Sequence, residues 1–178
     1  MGRAGEAVMI VLVLGGTRSG KSGVAESIAA SLDATAVYVA TAAVDPSDAD
    51  HAARVGAHKS RRPDHWSTVE CETPDDLSRV LKESDSLVLV DSLGTWVTLH
   101  PDMAVDADDL LAAVASRDAP TVIVSEEVGL AVHPTSELGR RYVDVLGMLN
   151  QQVAAVADRV LLVVAGRVLE LSGPDEVV

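Results

Sequence analysis

Gly15, Gly16, Thr17, Arg18, Ser19, Gly20, Lys21 and Ser22 satisfy the pattern G-x-x-x-x-G-K-[ST] at every defined position. An apolar run precedes them and a helix-patterned segment follows. Glycines in such a loop let successive backbone N–H groups point inward at phosphate oxygens, and the start of the following helix adds partial positive charge. Lys21 is placed to neutralise the β and γ phosphates of a nucleoside triphosphate, and Ser22 to hold Mg²⁺. Arg18 can touch the phosphates or lie at the surface. The site also needs a carboxylate at the end of a neighbouring buried strand. Asp91, closing Leu87-Val88-Leu89-Val90-Asp91, supplies one for the metal, unless it only caps the next turn.

A second group of residues could do different chemistry. Arg54, Lys59, Arg61 and Arg62 are four of the chain's 14 basic residues, gathered around His58. In a helix Arg54, His58 and Arg62 would share a face, with an imidazole between two guanidiniums that disfavour its protonation. A neutral imidazole among phosphate-binding cations is suited to attack an α-phosphorus and form a nucleotidyl-histidine. The competing reading is a solvated basic patch with a bystander histidine. His51, His65, His100 and His133 lack this setting and read as surface or loop residues.

Elements that must position these groups follow from the pattern of apolar runs. Runs at 8–14, 36–40, 87–90, 121–124 and 160–164 alternate with helix-patterned segments, so the class is α/β, with a mostly parallel sheet flanked by helices. The near-continuous apolar character of the five makes them central strands. Residues 168–171 follow the last run after Ala165, Gly166 and Arg167. That spacing admits only a hairpin, so a C-terminal antiparallel edge strand completes a sheet of about six strands. Helices are expected over 21–32, from Thr73 and Pro74 to about 82, and from 135 or 136 to about 157. The last carries a stripe of Leu138, Tyr142, Val145, Leu149, Val153 and Val156. Stretches 45–59 and 100–109 read as mobile loops or loop-helix excursions. Residues 1–178 read as one nucleotide-binding catalytic domain with flexible tails at 1–6 and 172–178.

Composition narrows the class of function. With 178 residues and 48% hydrophobic content the chain can bury a core, and its net charge of −13 would repel a nucleic acid. The single cysteine, Cys71, fits a reducing compartment, and no targeting signal is visible, so a cytoplasmic protein is expected. A switch GTPase would carry an Asn-Lys-x-Asp motif, which this sequence lacks. A phosphoryl-transfer enzyme acting on a small molecule is favoured over an ATP-driven mechanical module.

Taken in order, several stretches resemble one family. They are Gly15 to Ser22; Tyr38-Val39-Ala40-Thr41-Ala42; Ala53-Arg54-Val55 with His58, Arg62 and Trp66-Ser67-Thr68-Val69-Glu70; Leu89-Val90-Asp91-Ser92-Leu93-Gly94-Thr95-Trp96; Ser125-Glu126-Glu127-Val128-Gly129-Leu130; and Gly139-Arg140-Arg141-Tyr142-Val143-Asp144 leading to Gly147, Leu149-Asn150-Gln151 and Ala157-Asp158. This set is similar to the bifunctional adenosylcobinamide kinase / adenosylcobinamide-phosphate guanylyltransferase family of cobalamin biosynthesis. The resemblance implies the P-loop NTPase fold and two reactions. An NTP (ATP or GTP) phosphorylates adenosylcobinamide, and GTP then guanylylates a histidine that passes GMP to adenosylcobinamide phosphate, giving adenosylcobinamide-GDP and pyrophosphate. It implies His58 as the nucleophile, Lys21 as the catalytic lysine, and nucleotide contacts at Ala40, Thr41, Ala42, Lys59, Ser60, Arg61, Arg62, Glu70 and Asp91. It also implies a homotrimer whose sites can lie between subunits. A kinase without the transferase step and a non-catalytic nucleotide-binding module are the alternatives.

The sequence departs from the family pattern at informative places. Members often carry Asp-Cys-Leu-Thr-Leu-Trp where this chain has Asp91-Ser92-Leu93-Gly94-Thr95-Trp96, a change that removes a cysteine and reads as neutral, and Ser-Asn-Glu-Val-Gly where it has Ser125-Glu126-Glu127-Val128-Gly129. The second change sets Glu126 beside Glu127 at a strand end. There a general base, a metal ligand, a helix cap or a salt-bridge partner could stand.

Overall fold

The computed structural model describes residues 8–33, 35–41 and 63–174. Its strands are β1 (Ile10–Gly15), β2 (Ala36–Ala40), β3 (Ser67–Glu70), β4 (Leu87–Asp91), β5 (Thr121–Glu126), β6 (Arg159–Val164) and β7 (Arg167–Leu171). They form one sheet in the order β3-β2-β4-β5-β1-β6-β7. Every neighbouring pair is parallel except β6 with β7. The five apolar runs of the sequence are the five inner strands, and β7 is the expected antiparallel edge. Ala165 and Gly166 turn the hairpin with φ of 50° and 73°, the positive values a two-residue turn between twisted strands requires.

The sheet has seven strands rather than about six, because β3 adds to β2 at the far edge. No apolar run announces it: of its four residues only Val69 is even half-buried. Parallel pairing to β2, not burial, makes it a strand.

Helices α1 (Lys21–Leu32), α2 (Pro74–Glu83) and α5 (Glu137–Val156) lie where periodicity places them. Thr73 and Asp76 lock the start of α2, with the Thr73 N–H and hydroxyl donating to Asp76 Oδ2 at 2.8 and 2.9 Å. The Ser136 hydroxyl accepts from Gly139 N at 3.1 Å to begin α5. The expected stripe on α5 is only partly buried: Leu138 is 62% exposed, and the buried residues are Leu146, Leu149, Asn150 and Val153. Its first turns therefore carry none of the helix's fully buried side chains. Two shorter helices, α3 (Leu93–Leu99) and α4 (Asp108–Ala115), were not legible as periodic segments. Stretch 100–109 holds a 3₁₀ turn (Pro101–Met103) and the opening of α4.

Strand alternation divides the core between the two faces of the sheet. Val11, Val13, Val122, Val124, Leu87 and Leu89 pack with Ala25 and Ala29 of α1. Leu12, Leu14, Val88, Val90 and Ile123 pack with α2, α3, α4 and α5 through Leu77, Leu81, Leu93, Leu110, Leu146 and Leu149. The alanines let α1 lie close to the sheet, which fixes the direction in which its first turn faces the β1 end.

Arg117 ties the second layer together beneath this core. Its side chain is buried, and it donates to Thr121 Oγ1 at 3.0 Å and to the carbonyls of Leu81, Ser84 and Ser86. The Leu81 carbonyl is one that the end of α2 would otherwise leave unpaired. Arg117→Met is expected to destabilise the fold by about 2–4 kcal/mol and to lower the thermal midpoint by roughly 5–15 °C. A midpoint within about a degree of wild type in calorimetry would contradict this role.

Candidate active site

Parallel pairing brings the C-terminal ends of the inner strands to one edge of the sheet. Gly15 is in register with Glu126, Ala40 with Asp91, and Ala40 also with Glu70. The loop, both glutamate positions and the strand-end aspartate therefore belong to a single edge.

Residues 15–22 form a compact turn between β1 and α1. Ser19 N donates to Gly16 O at 3.2 Å, Ser19 Oγ accepts from Lys21 N at 3.3 Å, and Gly166 N of the β6–β7 turn donates to Ser19 O at 2.8 Å. The C-terminal hairpin thus anchors the loop from outside. A Cβ on Gly15 would lie 2.5 Å from Ser19 Oγ and 2.8 Å from the carbonyl of Val163. Gly20 sits at φ 93° immediately before α1, a conformation natural to glycine. Arg18 stands at φ 57° and is exposed at the loop, with Gly16, Thr17 and Gly20 exposed beside it. The loop is open toward solvent, where phosphates would enter, and Ser22 follows in the first turn of α1.

Sheet order corrects one expectation. The sequence suggested that Asp91 closes a strand neighbouring the loop strand, but β5 lies between β4 and β1. The carboxylate beside the loop lysine is that of Glu126, with Oε1 3.4 Å from Lys21 Nζ and both side chains largely buried. Asp91 lies one strand further out and accepts a hydrogen bond from the Tyr38 hydroxyl at 2.5 Å. Of the two adjacent glutamates, Glu127 is turned into its own loop, where its carboxylate accepts from Gly129 N at 2.6 Å. Only Glu126 faces the lysine.

Glu126 has a built environment. Ser92 Oγ lies 3.0 Å from each of its carboxylate oxygens. Asn150 of α5 donates through Nδ2 to the Glu126 carbonyl at 3.0 Å and accepts from Ser125 Oγ at 2.6 Å, which fixes the end of β5. Burial and the charge of Glu126 push the Tyr142 phenol up to about 12, so it stays protonated at neutral pH. Asn150 and Tyr142 carried no assigned role in the sequence. A buried amide beside an apolar stripe was the available signal for the first, and the second was one aromatic among several.

Thr41, expected at the nucleotide, is fully buried and is used as a brace. Its hydroxyl lies 2.6 Å from Ser92 O and from Thr95 Oγ1 and accepts from Ser92 N at 2.8 Å. This holds the junction between β4 and α3. Ala40 ends β2 and Glu70 ends the exposed strand β3. Ala42, Arg54, His58, Lys59, Ser60, Arg61 and Arg62 lie outside the described residues. Gly15→Ala is expected to weaken binding of a nucleoside triphosphate about tenfold or more, because the Val163 carbonyl is backbone and the loop itself must shift. Titration calorimetry reads the affinity, and an unchanged value would contradict the close approach.

The chain is similar to known proteins over most of its length. The family described as cobinamide kinase / cobinamide phosphate guanyltransferase matches residues 11–171. The chain is 39% identical over 171 residues to the bifunctional adenosylcobalamin biosynthesis protein CobP of Pseudomonas aeruginosa, covering 91% of this chain and 96% of that protein. It is 36% identical over 178 residues to the bifunctional adenosylcobalamin biosynthesis protein CobU of Escherichia coli, covering 89% and 97% respectively. Among solved structures, the flagellar accessory protein FlaH from Methanocaldococcus jannaschii superposes with a TM-score of 0.50 at 12% identity, over 90% of this chain and 74% of that one. That likeness is one of fold alone. The match of the family over residues 11–171, with relatives 36–39% identical over nearly their whole length, gives the assignment: the chain belongs to the cobinamide kinase / cobinamide phosphate guanyltransferase family.

Proposed function

We propose that this protein phosphorylates adenosylcobinamide with a nucleoside triphosphate, then transfers GMP from GTP to adenosylcobinamide phosphate through a guanylyl-histidine at His58. The observation that carries the reading is the open phosphate loop with Lys21 at the carboxyl edge of the sheet, in a chain that matches this family from residue 11 to 171.

In the kinase step the loop N–H groups and Lys21 hold the β and γ phosphates. They stabilise the charge that spreads over the transferring phosphoryl group. Ser22 and Asp91 offer a hydroxyl and a carboxylate, hard oxygen donors that fit Mg²⁺, an ion that commonly takes one or two protein oxygens and completes its shell with phosphates and water. Bound there, the ion would neutralise the β and γ oxygens. Among the described residues no group of three or more His, Cys, Asp or Glu could hold a metal without such help.

In the transferase step a ring nitrogen of His58 bonds to the α-phosphorus of GTP as the bond to the bridging oxygen breaks and pyrophosphate leaves. A phosphate oxygen of adenosylcobinamide phosphate then displaces the histidine, giving adenosylcobinamide-GDP. Lys59, Arg61 and Arg62 concentrate positive charge beside His58 in a chain of net charge −13, which favours this segment as a triphosphate contact. Ser60, Ala40, Ala42 and Glu70 complete the proposed nucleotide surface, and Thr41 braces it from within.

The assembly we propose is a homotrimer, in the cytoplasm. Leu130, Val132 and Leu138 are 81%, 94% and 62% exposed between β5 and the first turn of α5, an apolar surface suited to subunit contact. Cys71 is a free buried thiol that burial pushes up to about 11, so it stays protonated at neutral pH.

Incubation with GTP labelled at the α-phosphate is expected to leave acid-labile, alkali-stable label on His58. His58→Ala is expected to carry none while still binding nucleotide. Absence of label from folded wild-type protein, or equal label on the variant, would contradict the histidine intermediate.

A further inference from the structure

The kinase reaction needs a group to take the proton of the acceptor hydroxyl. Its place is constrained, because the hydroxyl oxygen must approach the γ-phosphorus from the side away from the nucleoside diphosphate. Lys21 marks the β,γ end of the bound triphosphate. A carboxylate in contact with its ammonium is therefore within reach of the attacking oxygen. Among the described residues Glu126 is the carboxylate that pairs with Lys21.

The surroundings of Glu126 are shaped to admit that carboxylate. A Cβ on Gly94 would lie 2.0 Å from Glu126 Oε2 and 2.6 Å from the Tyr142 hydroxyl, so the carboxylate occupies the space that any side chain at position 94 would fill. Ser92 lies 3.0 Å from each carboxylate oxygen and can donate to one at a time. Asn150 holds the Glu126 carbonyl at 3.0 Å from behind. Thr95, one residue beyond Gly94, shares a 2.6 Å hydrogen bond with Thr41, which fixes the start of α3 around the cradle. These positions meet in space: a carboxylate at 126, room for it at 94, and a hydroxyl for it at 92.

The geometry points to Glu126 as the catalytic residue that accepts the proton of the acceptor hydroxyl in the kinase step, seated by the missing side chain of Gly94. This rests on the kinase half of the proposed function. As the acceptor oxygen bonds to the γ-phosphorus, the bond from that phosphorus to the β,γ-bridging oxygen breaks. The nucleoside diphosphate leaves with the electron pair, and the hydroxyl proton passes to a carboxylate oxygen of Glu126, then to water. Lys21, shared between the carboxylate and the phosphates, offsets the repulsion between the two anions. Glu127 is turned into its own loop, where one carboxylate oxygen accepts from Gly129 N, and it is not the glutamate paired with Lys21.

The test measures ATP-dependent formation of adenosylcobinamide phosphate by wild type, Glu126→Gln, Gly94→Ala and the double variant. Glu126→Gln preserves size and is expected to lower kcat about 100-fold, with KM for ATP and for the corrinoid within a few-fold. Gly94→Ala displaces the carboxylate and is expected to lower kcat by a similar factor. The double variant is expected to be no slower than the slower single one, since both remove the same group. Wild-type kcat in Glu126→Gln overturns the proposal, as do multiplicative losses in the double variant. Recovery of Glu126→Gln at raised Mg²⁺ also overturns it, by assigning the carboxylate to the metal. A wild-type protein that phosphorylates no corrinoid overturns the kinase reading itself, and so is distinguishable from failure of the Glu126 assignment alone.

Discussion

Parallel pairing is the constraint from which the site follows. A parallel strand can only be reached by a crossover that runs back over the sheet, so all six parallel strands end at the same edge. Every group assigned to chemistry within the described residues stands at that edge or just beyond it. The loop follows β1, Asp91 closes β4, Glu126 closes β5, and Ala40 and Glu70 close β2 and β3. Helix α1 then directs its first N–H groups at the loop because its alanine face lies close to the sheet. Even the antiparallel hairpin contributes, since its turn donates a hydrogen bond back to Ser19.

Placing β5 between the loop strand and the Asp91 strand separates two carboxylates that would otherwise compete for one position. Glu126 is held beside Lys21, while Asp91 is one strand away with a tyrosine hydroxyl on it. Proton acceptance and metal binding can then be served by different side chains. Thr41 accepts from Ser92 N on one side of this gap, Asn150 donates to the Glu126 carbonyl on the other, and Ser92 Oγ donates across it to the Glu126 carboxylate. Such a network keeps a partly buried carboxylate in one orientation, where burial without partners would be costly.

Local chemistry was legible in the sequence, and lateral order was not. The phosphate loop announces itself because glycine, lysine and serine act at fixed spacing within one turn, and the inner strands do so because burial on both faces demands continuous apolar runs. Ser67–Glu70 could not be read in that way, since its strand character comes from pairing with β2 while its side chains stay mostly exposed. Glu126 could be seen as a strand-end carboxylate, but its contact with Lys21 depends on which strand neighbours β1, a fact distributed over the whole fold. The cradle at Gly94 was equally hidden, because a glycine in a helix-opening segment gives no sign of what fills its empty side. The roles of Ser92 and Thr95 depend on the same encounter.

In the proposed function one chain carries out two successive transfers to one corrinoid. The most direct measurement is mass spectrometry of the corrinoid after incubation of the purified protein with adenosylcobinamide and Mg²⁺, first with ATP alone and then with GTP added. Adenosylcobinamide phosphate is expected in the first case, and in the second its conversion to adenosylcobinamide-GDP with one pyrophosphate released per product. Nucleotide hydrolysis with the corrinoid unchanged in both would contradict it.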